Sequence, residues 1–326
     1  MFSISAFACF EELTILEYSS YERIKELYEK VIFYGDSIID SKSTGIILRS
    51  QSELINIDYW ELDVENELNT INIIINKYNW LQKSDFSDLI AGYLNLLNRE
   101  MVIKLLFERF DEAQKLYEDN LVEIERLERI EYLGYLYMDY SKGLYIQNLD
   151  KSIEYMQNAY DIFEKLNTEF RRFLDCKCEL VYLKCLQNPD YNINELEQAA
   201  DDLYRAQFWE IYSKAKLKLA AIKMVRGNYS VEDIEKDLYI AEYVLDYSFS
   251  GRLKLLNIMI KNAFQIFSGN SDNLVKFSTD DKNKLYKIGG KYKEIWEHNK
   301  KGVKTTIGFY DEFQGSNIYM LDRRIW

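Results

Sequence analysis

Three cysteines cluster in the stretch CKCELVYLKC, residues 176–185, and closely spaced thiolates are typical zinc ligands. If this segment is helical, Cys176 and Cys178 point about 200° apart, and Cys185 lies about 10 Å beyond Cys178 along the helix axis. Neither pair reaches one zinc ion through bonds of about 2.3 Å. We therefore expect buried thiols in a reducing compartment, and neither a metal nor another cofactor.

The other residue types that carry out catalysis are scarce or lack a motif. The chain has one histidine, His298, so a catalytic triad, a zincin helix or a two-histidine metal site would need a second chain. A phosphate-binding loop is rich in glycine and follows a strand. The glycine pair of KIGGKYK instead lies within a presumed helix without a preceding strand, and no phosphate-binding loop motif occurs elsewhere. We expect no catalytic residues and no enzyme activity.

The charge of the chain and the length of its apolar runs argue against further classes of function. The formal net charge is -13, which disfavours nucleic-acid binding, although the segment from Lys282 onward carries 10 Lys/Arg against 5 Asp/Glu. No apolar run approaches the roughly eighteen residues of a membrane span. The opening MFSISAFACFEEL lacks the basic leader of a signal peptide. These features predict a cytoplasmic protein with no membrane or nucleic-acid partner.

The elements that carry these residues are predicted to be helices. The chain has one proline, Pro189, and 13 glycines in 326 residues, whereas turn-rich β folds generally use many of both. The sequence therefore predicts an all-α protein.

Four stretches repeat one pattern of apolar or small residues, with steps of three, four and three positions that line up on one helix face. Each follows a short polar or glycine-containing break, and another apolar-periodic segment precedes each break. The pattern predicts repeated units of helix, tight turn and helix. The four sets are Phe110, Ala113, Tyr117 and Asn120; Leu149, Ser152, Met156 and Ala159; Leu196, Ala199, Leu203 and Ala206; and Val231, Ile234, Leu238 and Ala241.

These units resemble the tetratricopeptide repeat over residues 90–250. ERFDEAQKLYEDNL is similar to its second helix, and GNYSVEDIEKDLYIA adds a Gly-x-aromatic turn with two extra residues. The units depart from the family because their spacing varies and because Met101 and Tyr140 stand near the usual small residue of the first helix. The resemblance implies a TPR-like α-α hairpin solenoid with a right-handed superhelix. HEAT-like hairpins or an irregular helical array remain alternatives.

The predicted organisation has four segments. N-terminal helical hairpins, either degenerate repeats or a separate bundle, are followed by the TPR-like repeats, a basic capping helix and an extended or β-hairpin tail around a Gln-Gly-Ser-Asn turn. We place them at residues 1–89, 90–268, 269–301 and 302–326.

We expect a non-enzymatic protein- or peptide-binding repeat protein that acts as a scaffold, a sensor or an accessory subunit of a bacterial or phage assembly. The alternatives are a cytoplasmic receptor for a signalling peptide, which resembles peptide-sensing TPR regulators, and an enzyme subunit completed by a partner. The oligomeric state is left open. The predicted binding residues come from the repeat register and from the apolar, basic tail, which docks in cis or in trans: Tyr137, Ser141, Tyr145, Lys214, Lys218, Arg323, Arg324 and Trp326.

Overall fold

The fold is taken from a computed structural model of the chain. The residues that it describes are 21–35, 47–48, 50–51, 64–78, 87–106, 109–126, 128–145, 147–166, 170–245 and 251–270.

Within these residues all regular secondary structure is helical, which confirms the prediction of an all-α chain. The eleven helices of the described ranges are α1 (Tyr21–Gly35), α2 (Val64–Tyr78), α3 (Ser87–Leu106), α4 (Phe110–Arg126), α5 (Ile130–Leu144), α6 (Leu149–Lys165), α7 (Phe170–Gln187), α8 (Asn194–Arg205), α9 (Trp209–Arg226), α10 (Val231–Leu245) and α11 (Gly251–Phe267).

The chain divides into two compact units. The first comprises Met1–Lys104 and Glu108–Tyr132, and the second comprises Leu105–Phe107 and Leu133–Trp326. In the first unit the Lys104 ammonium on α3 lies 2.7 Å from the Glu112 carboxylate on α4. The predicted segment boundaries after residues 89, 268 and 301 stay predictions.

The helices of the second unit pack in chain order. From α6 to α11 each helix contacts the next one along the chain, and α9 also packs against both α7 and α11. Helix α9 therefore packs beside α7 and α11, and α8 and α10 lie between these helices in chain order.

Helices α6, α8 and α10 each bury one stripe, as the sequence pattern predicts. On α6 the buried positions are Ser152, Met156, Ala159 and Phe163. The corresponding stripe on α8 includes Ala199, which is small enough to let the neighbouring helix approach closely. Most charged residues of these helices occupy the opposite, solvated face, whereas Asp237 of α10 is buried.

Helices α7 and α9 are instead buried on nearly every side. Thirteen residues of α9 between Ile211 and Met224 are buried, and they include lysines as well as aliphatic residues. Because such a helix has no polar face, its apolar residues do not form a single stripe.

Local chemistry sets where several of these helices begin and end. The Asn148 side chain accepts a hydrogen bond from the Lys151 backbone N–H at 3.0 Å and caps α6. Ser230 caps α10, since its hydroxyl accepts from the Asp233 N–H at 3.1 Å and also donates to the Asp233 carboxylate at 2.9 Å. Gly227 ends α9 with φ of 65°, a conformation that favours glycine.

Several sequence-based predictions lie outside the described residues. They concern the basic capping helix with His298, the tail with its Gln-Gly-Ser-Asn turn, and most of the opening stretch.

Candidate functional site

A group of charged side chains joins α5, α7 and α9 in the second unit. The Asp175 carboxylate on α7 lies 2.9 Å from the Lys142 ammonium on α5 and 3.7 Å from the Lys214 ammonium on α9. One turn further along α7, the Glu179 carboxylate binds Lys214 through one oxygen and Lys218 through the other. We call Lys142, Asp175, Glu179, Lys214 and Lys218 the charge cluster.

Helical spacing brings the cluster together. Asp175 and Glu179 are four residues apart on α7, and Lys214 and Lys218 are four apart on α9, so each pair occupies one face of its helix. The two faces meet because α7 packs against α9. The cluster is deeply buried, with the side chains of Lys214 and Lys218 only 8% and 3% exposed.

The electrostatics favour charged carboxylates within the cluster. Burial disfavours the Glu179 carboxylate, but the ammonium groups of Lys214 and Lys218 outweigh burial and lower the pKa of Glu179 to about 2. Burial likewise opposes ionisation of Asp175, yet Lys142 and Lys214 hold its pKa well below the usual range.

The lysines of the cluster differ from one another. Burial opposes the charge of Lys142, but the nearby carboxylates of Asp175 and Glu179 raise the pKa of Lys142 above its ordinary value. Burial lowers the pKa of Lys214, and repulsion from Lys142 and Lys218 adds to the effect, even though both carboxylates oppose it. The pKa values of Lys142 and Lys214 are therefore shifted in opposite directions.

A small cavity adjoins the cluster. Its volume is about 10 Å³, which is room for at most one water-sized species. Lys142, Glu179 and Lys218 line it together with Tyr145, Tyr182 and apolar side chains of α6 and α7. The Lys218 ammonium lies 4.3 Å from the centroid of the Tyr182 ring, within the range of a cation–π interaction.

A second group of buried charges lies further along α9. The Asp237 carboxylate of α10 is 3.1 Å from the Lys216 ammonium and 2.7 Å from that of Lys223, and Lys223 also pairs with Glu197 of α8 at 3.0 Å. This group, which we call the balanced cluster, has equal numbers of ammonium groups and carboxylates. The five residues named as the charge cluster supply three ammonium groups and two carboxylates, and the Asp139 carboxylate also raises the pKa of Lys142.

Large aromatic side chains are exposed around the connections from α6 to α7 and from α8 to α9. Phe170 is 55% exposed, Tyr204 is 53% exposed and Trp209 is 40% exposed. The rings contact in two pairs, with centroids 6.3 Å apart for Phe170 and the partly buried Phe208 and 5.4 Å apart for Tyr204 and Trp209. We call Phe170, Tyr204, Phe208 and Trp209 the aromatic surface.

The structure brings three of the predicted binding residues together. Tyr145, Lys214 and Lys218 lie at the charge cluster and its cavity, where all three are buried. Their role in binding stays a prediction.

The other predicted binding residues lie elsewhere or outside the described part. The Ser141 hydroxyl donates to the Ser152 carbonyl at 2.7 Å, and Tyr137 stacks on Tyr155 with centroids 5.9 Å apart, so both residues contact α6. Arg323, Arg324 and Trp326 lie outside the described residues.

Sequence reasoning missed Asp175 and Glu179. These two carboxylates sit in LDCKCELVYL among residues typical of a core. Charged residues at a spacing of four within such a segment were the available signal, because buried carboxylates require partners.

The cysteines of the 176–185 segment are buried free thiols, as the sequence predicts. Burial raises the pKa of Cys178 to about 12 and that of Cys185 to about 11. Among the described residues no group of three His, Cys, Asp or Glu side chains is placed to hold a metal ion.

None of the helices in the described ranges combines the length and the apolar character needed to cross a membrane. Comparisons with protein-family models, with curated proteins and with solved structures found no match.

Proposed function

We propose that this chain is a non-enzymatic repeat protein, TPR-like in arrangement, that binds a protein or peptide segment as a scaffold, sensor or accessory subunit. The observation that carries the proposal is the aromatic surface, which is presented at the hairpin ends of consecutively packed helices.

Large exposed aromatic side chains mark contact sites on proteins, and Trp and Tyr are enriched among the residues that dominate binding energy. Trp209 and Tyr204 are rigid and contact each other, so little side-chain entropy is lost when a partner covers them. The Arg171 guanidinium lies 6.0 Å from the centroid of the Phe208 ring and adds a charged group at the edge of the surface. These features suit a segment that has an apolar side chain beside an acidic one.

The test is selection of random peptides by phage display on the immobilised full-length chain, followed by measured affinities for the selected peptides. We expect Trp209→Ser and Tyr204→Ser each to weaken binding about tenfold or more, which corresponds to about 1.4 kcal/mol. Tyr239→Ser is the matched control, because Tyr239 is an aromatic residue of α10 that is 68% exposed away from these rings.

If both variants bind the selected peptides as tightly as the wild type does, the peptide site lies outside the aromatic surface. Failure of the full-length chain to enrich any peptide above a bovine serum albumin control would argue against peptide recognition as the function.

A further inference from the structure

An exposed arginine lies at the edge of the aromatic surface. Arg171 is in the first turn of α7, and its side chain is 55% exposed. Its guanidinium lies 6.0 Å from the centroid of the Phe208 ring and 3.9 Å from the carboxylate of Glu210, which is in the first turn of α9. The cation therefore lies beside the rings while it remains open to solvent.

The position of Arg171 is unfavourable for α7. The N-terminus is the positive end of the helix dipole, where acidic side chains are favoured and cations are disfavoured. Burial opposes the charge of Arg172, the other arginine of this turn, but the Asp175 and Asp139 carboxylates outweigh burial and raise its pKa. Arg171 is instead paired with the half-exposed Glu210. Helix stability therefore gives no reason for a cation at this position.

The pair formed by Arg171 and Glu210 is loose. A separation of 3.9 Å exceeds the about 2.7–3.2 Å of a hydrogen bond, and water reaches both side chains. Exposed ion pairs of this kind contribute little because water competes for both groups. A carboxylate that hydrogen-bonds Arg171 and that a docked segment shields from water is therefore favoured over Glu210.

The charge of the whole chain makes a local cation necessary for recognising an acidic segment. The formal net charge is -13, so the chain repels such a segment at a distance. A guanidinium beside the rings supplies an attraction only after the segment has docked there. It therefore confers specificity rather than general affinity for acidic chains.

We propose that Arg171 is a specificity-determining residue of the aromatic surface. It binds an acidic side chain of the partner segment, and Glu210 competes for the same guanidinium and limits the affinity. The partner segment accordingly carries an apolar residue that contacts the rings and an Asp or Glu that binds Arg171. This inference rests on the proposed function, because it needs a partner at the aromatic surface.

The test uses peptides selected by phage display from a random library on the full-length chain. The most enriched peptide is synthesised in its selected form and with its acidic residue replaced by the corresponding amide, and isothermal titration calorimetry measures both affinities. We expect Arg171→Gln to weaken binding of the acidic form about fivefold and Glu210→Gln to strengthen it about threefold. The amide form is expected to bind the wild type and Arg171→Gln equally.

A matched pair on α4 controls for the net charge. The Arg126 guanidinium lies 3.0 Å from the Glu123 carboxylate, and both side chains are partly exposed. Arg126→Gln and Glu123→Gln change the charge of the chain by the same amounts as the two test variants, and we expect both to leave the peptide affinity unchanged. Far-UV circular dichroism and thermal unfolding check that every variant is folded.

A double-mutant cycle tests whether Glu210 acts through Arg171. Most of the gain from Glu210→Gln is expected to disappear in the Arg171→Gln background, because the competed guanidinium is then absent. An equal gain in both backgrounds, or no gain in either, would overturn the inference.

The outcomes separate this inference from the proposed function. If the selected peptides bind Trp209→Ser more weakly than the wild type but share no acidic residue, the aromatic surface is the peptide site and the role of Arg171 is wrong. Equal losses of the acidic and amide forms in Arg171→Gln lead to the same conclusion. A full-length chain that enriches no peptide would overturn both proposals.

Discussion

At the residue scale, the charged partners of a buried group, together with its burial, set the direction in which its pKa shifts. Cys178 and Glu179 are adjacent, yet burial raises the pKa of the thiol to about 12, while two lysines lower the pKa of the carboxyl to about 2. The difference arises because the carboxylate has cationic partners that outweigh desolvation, whereas the thiol's pKa is dominated by desolvation.

The buried thiols are expected to resist alkylation in the native protein. Only the thiolate reacts with iodoacetamide, and the raised pKa values of Cys176, Cys178 and Cys185 keep these groups protonated at pH 8. Mass spectrometry of peptides from labelled protein measures each cysteine separately. The control is protein in 8 M urea, about the concentration at which most domains unfold, where all three are expected to react. Rapid native labelling of Cys178 would contradict its burial.

Acid is expected to destabilise the protein through Glu179. Its folded-state pKa is lowered from 4.5 to about 2, so its stabilising contribution is complete above pH 4.5 and is lost as the pH falls toward 2. The contribution is about 3 kcal/mol by linkage. Urea midpoints between pH 7 and pH 2.5 measure the loss.

Glu179→Gln tests this assignment. The variant is expected to be less stable than the wild type at pH 7 by about 3 kcal/mol, because it removes the negative charge that the buried ammonium groups of Lys214 and Lys218 share. It is also expected to lose less further stability in acid. Glu235→Gln, an exposed position on α10, serves as the control. Equal acid sensitivity of wild type and Glu179→Gln would show that other carboxylates determine the response.

At the element scale, the second unit depends on close approach between consecutive helices. Gly134 on α5 faces Phe163 on α6, and a Cβ atom added at Gly134 would lie 2.8 Å from Cζ of Phe163. Phe163 is fully buried and has little room to move. The contact therefore requires glycine for space rather than for backbone conformation.

Gly134→Ala is expected to destabilise the protein despite alanine's higher helix propensity. The propensity gain is about 1 kcal/mol, whereas overpacking a core contact costs about 1–3 kcal/mol, so we expect a net loss of about 1 kcal/mol. In a Phe163→Leu background, where the ring is absent, the same substitution is expected to be neutral or stabilising. Urea denaturation of the four proteins measures the coupling. Equal effects in both backgrounds would refute the steric explanation.

Sequence periodicity predicted the elements better than it predicted the site. The steps of three, four and three found α4, α6, α8 and α10, because these helices each have one buried face. Helices α7 and α9 are buried on most sides, so their residues have no simple period, and the cluster on them went partly unrecognised. Lys214 and Lys218 were predicted as binding residues, but their carboxylate partners depend on how α7 packs against α9, which the spacing within one helix does not encode.

At the whole-molecule scale, we expect the free energy of local opening to be highest for the helices that are most deeply buried. Helix α9 contacts α7, α8, α10 and α11, whereas α8 and α10 each leave a charged face in solvent. Local opening of α9 exposes apolar residues and breaks both the charge cluster and the balanced cluster. Opening of α8 disrupts less buried surface.

Hydrogen exchange measured by mass spectrometry tests this distribution on the intact chain. We expect peptides from Ile211–Met224 to be the slowest to exchange in the second unit, and peptides from α8 and α10 to exchange faster. Lys214→Met, which removes from the charge cluster an ammonium group whose pKa burial lowers, is expected to leave α9 the most protected helix. Asp237→Asn, which unbalances the paired charges of Lys216 and Lys223, is expected to accelerate exchange in both α9 and α10. Exchange of α9 that is as fast as that of α8 in the wild type would contradict the burial of α9, because an enclosed helix exchanges only when its neighbours separate from it.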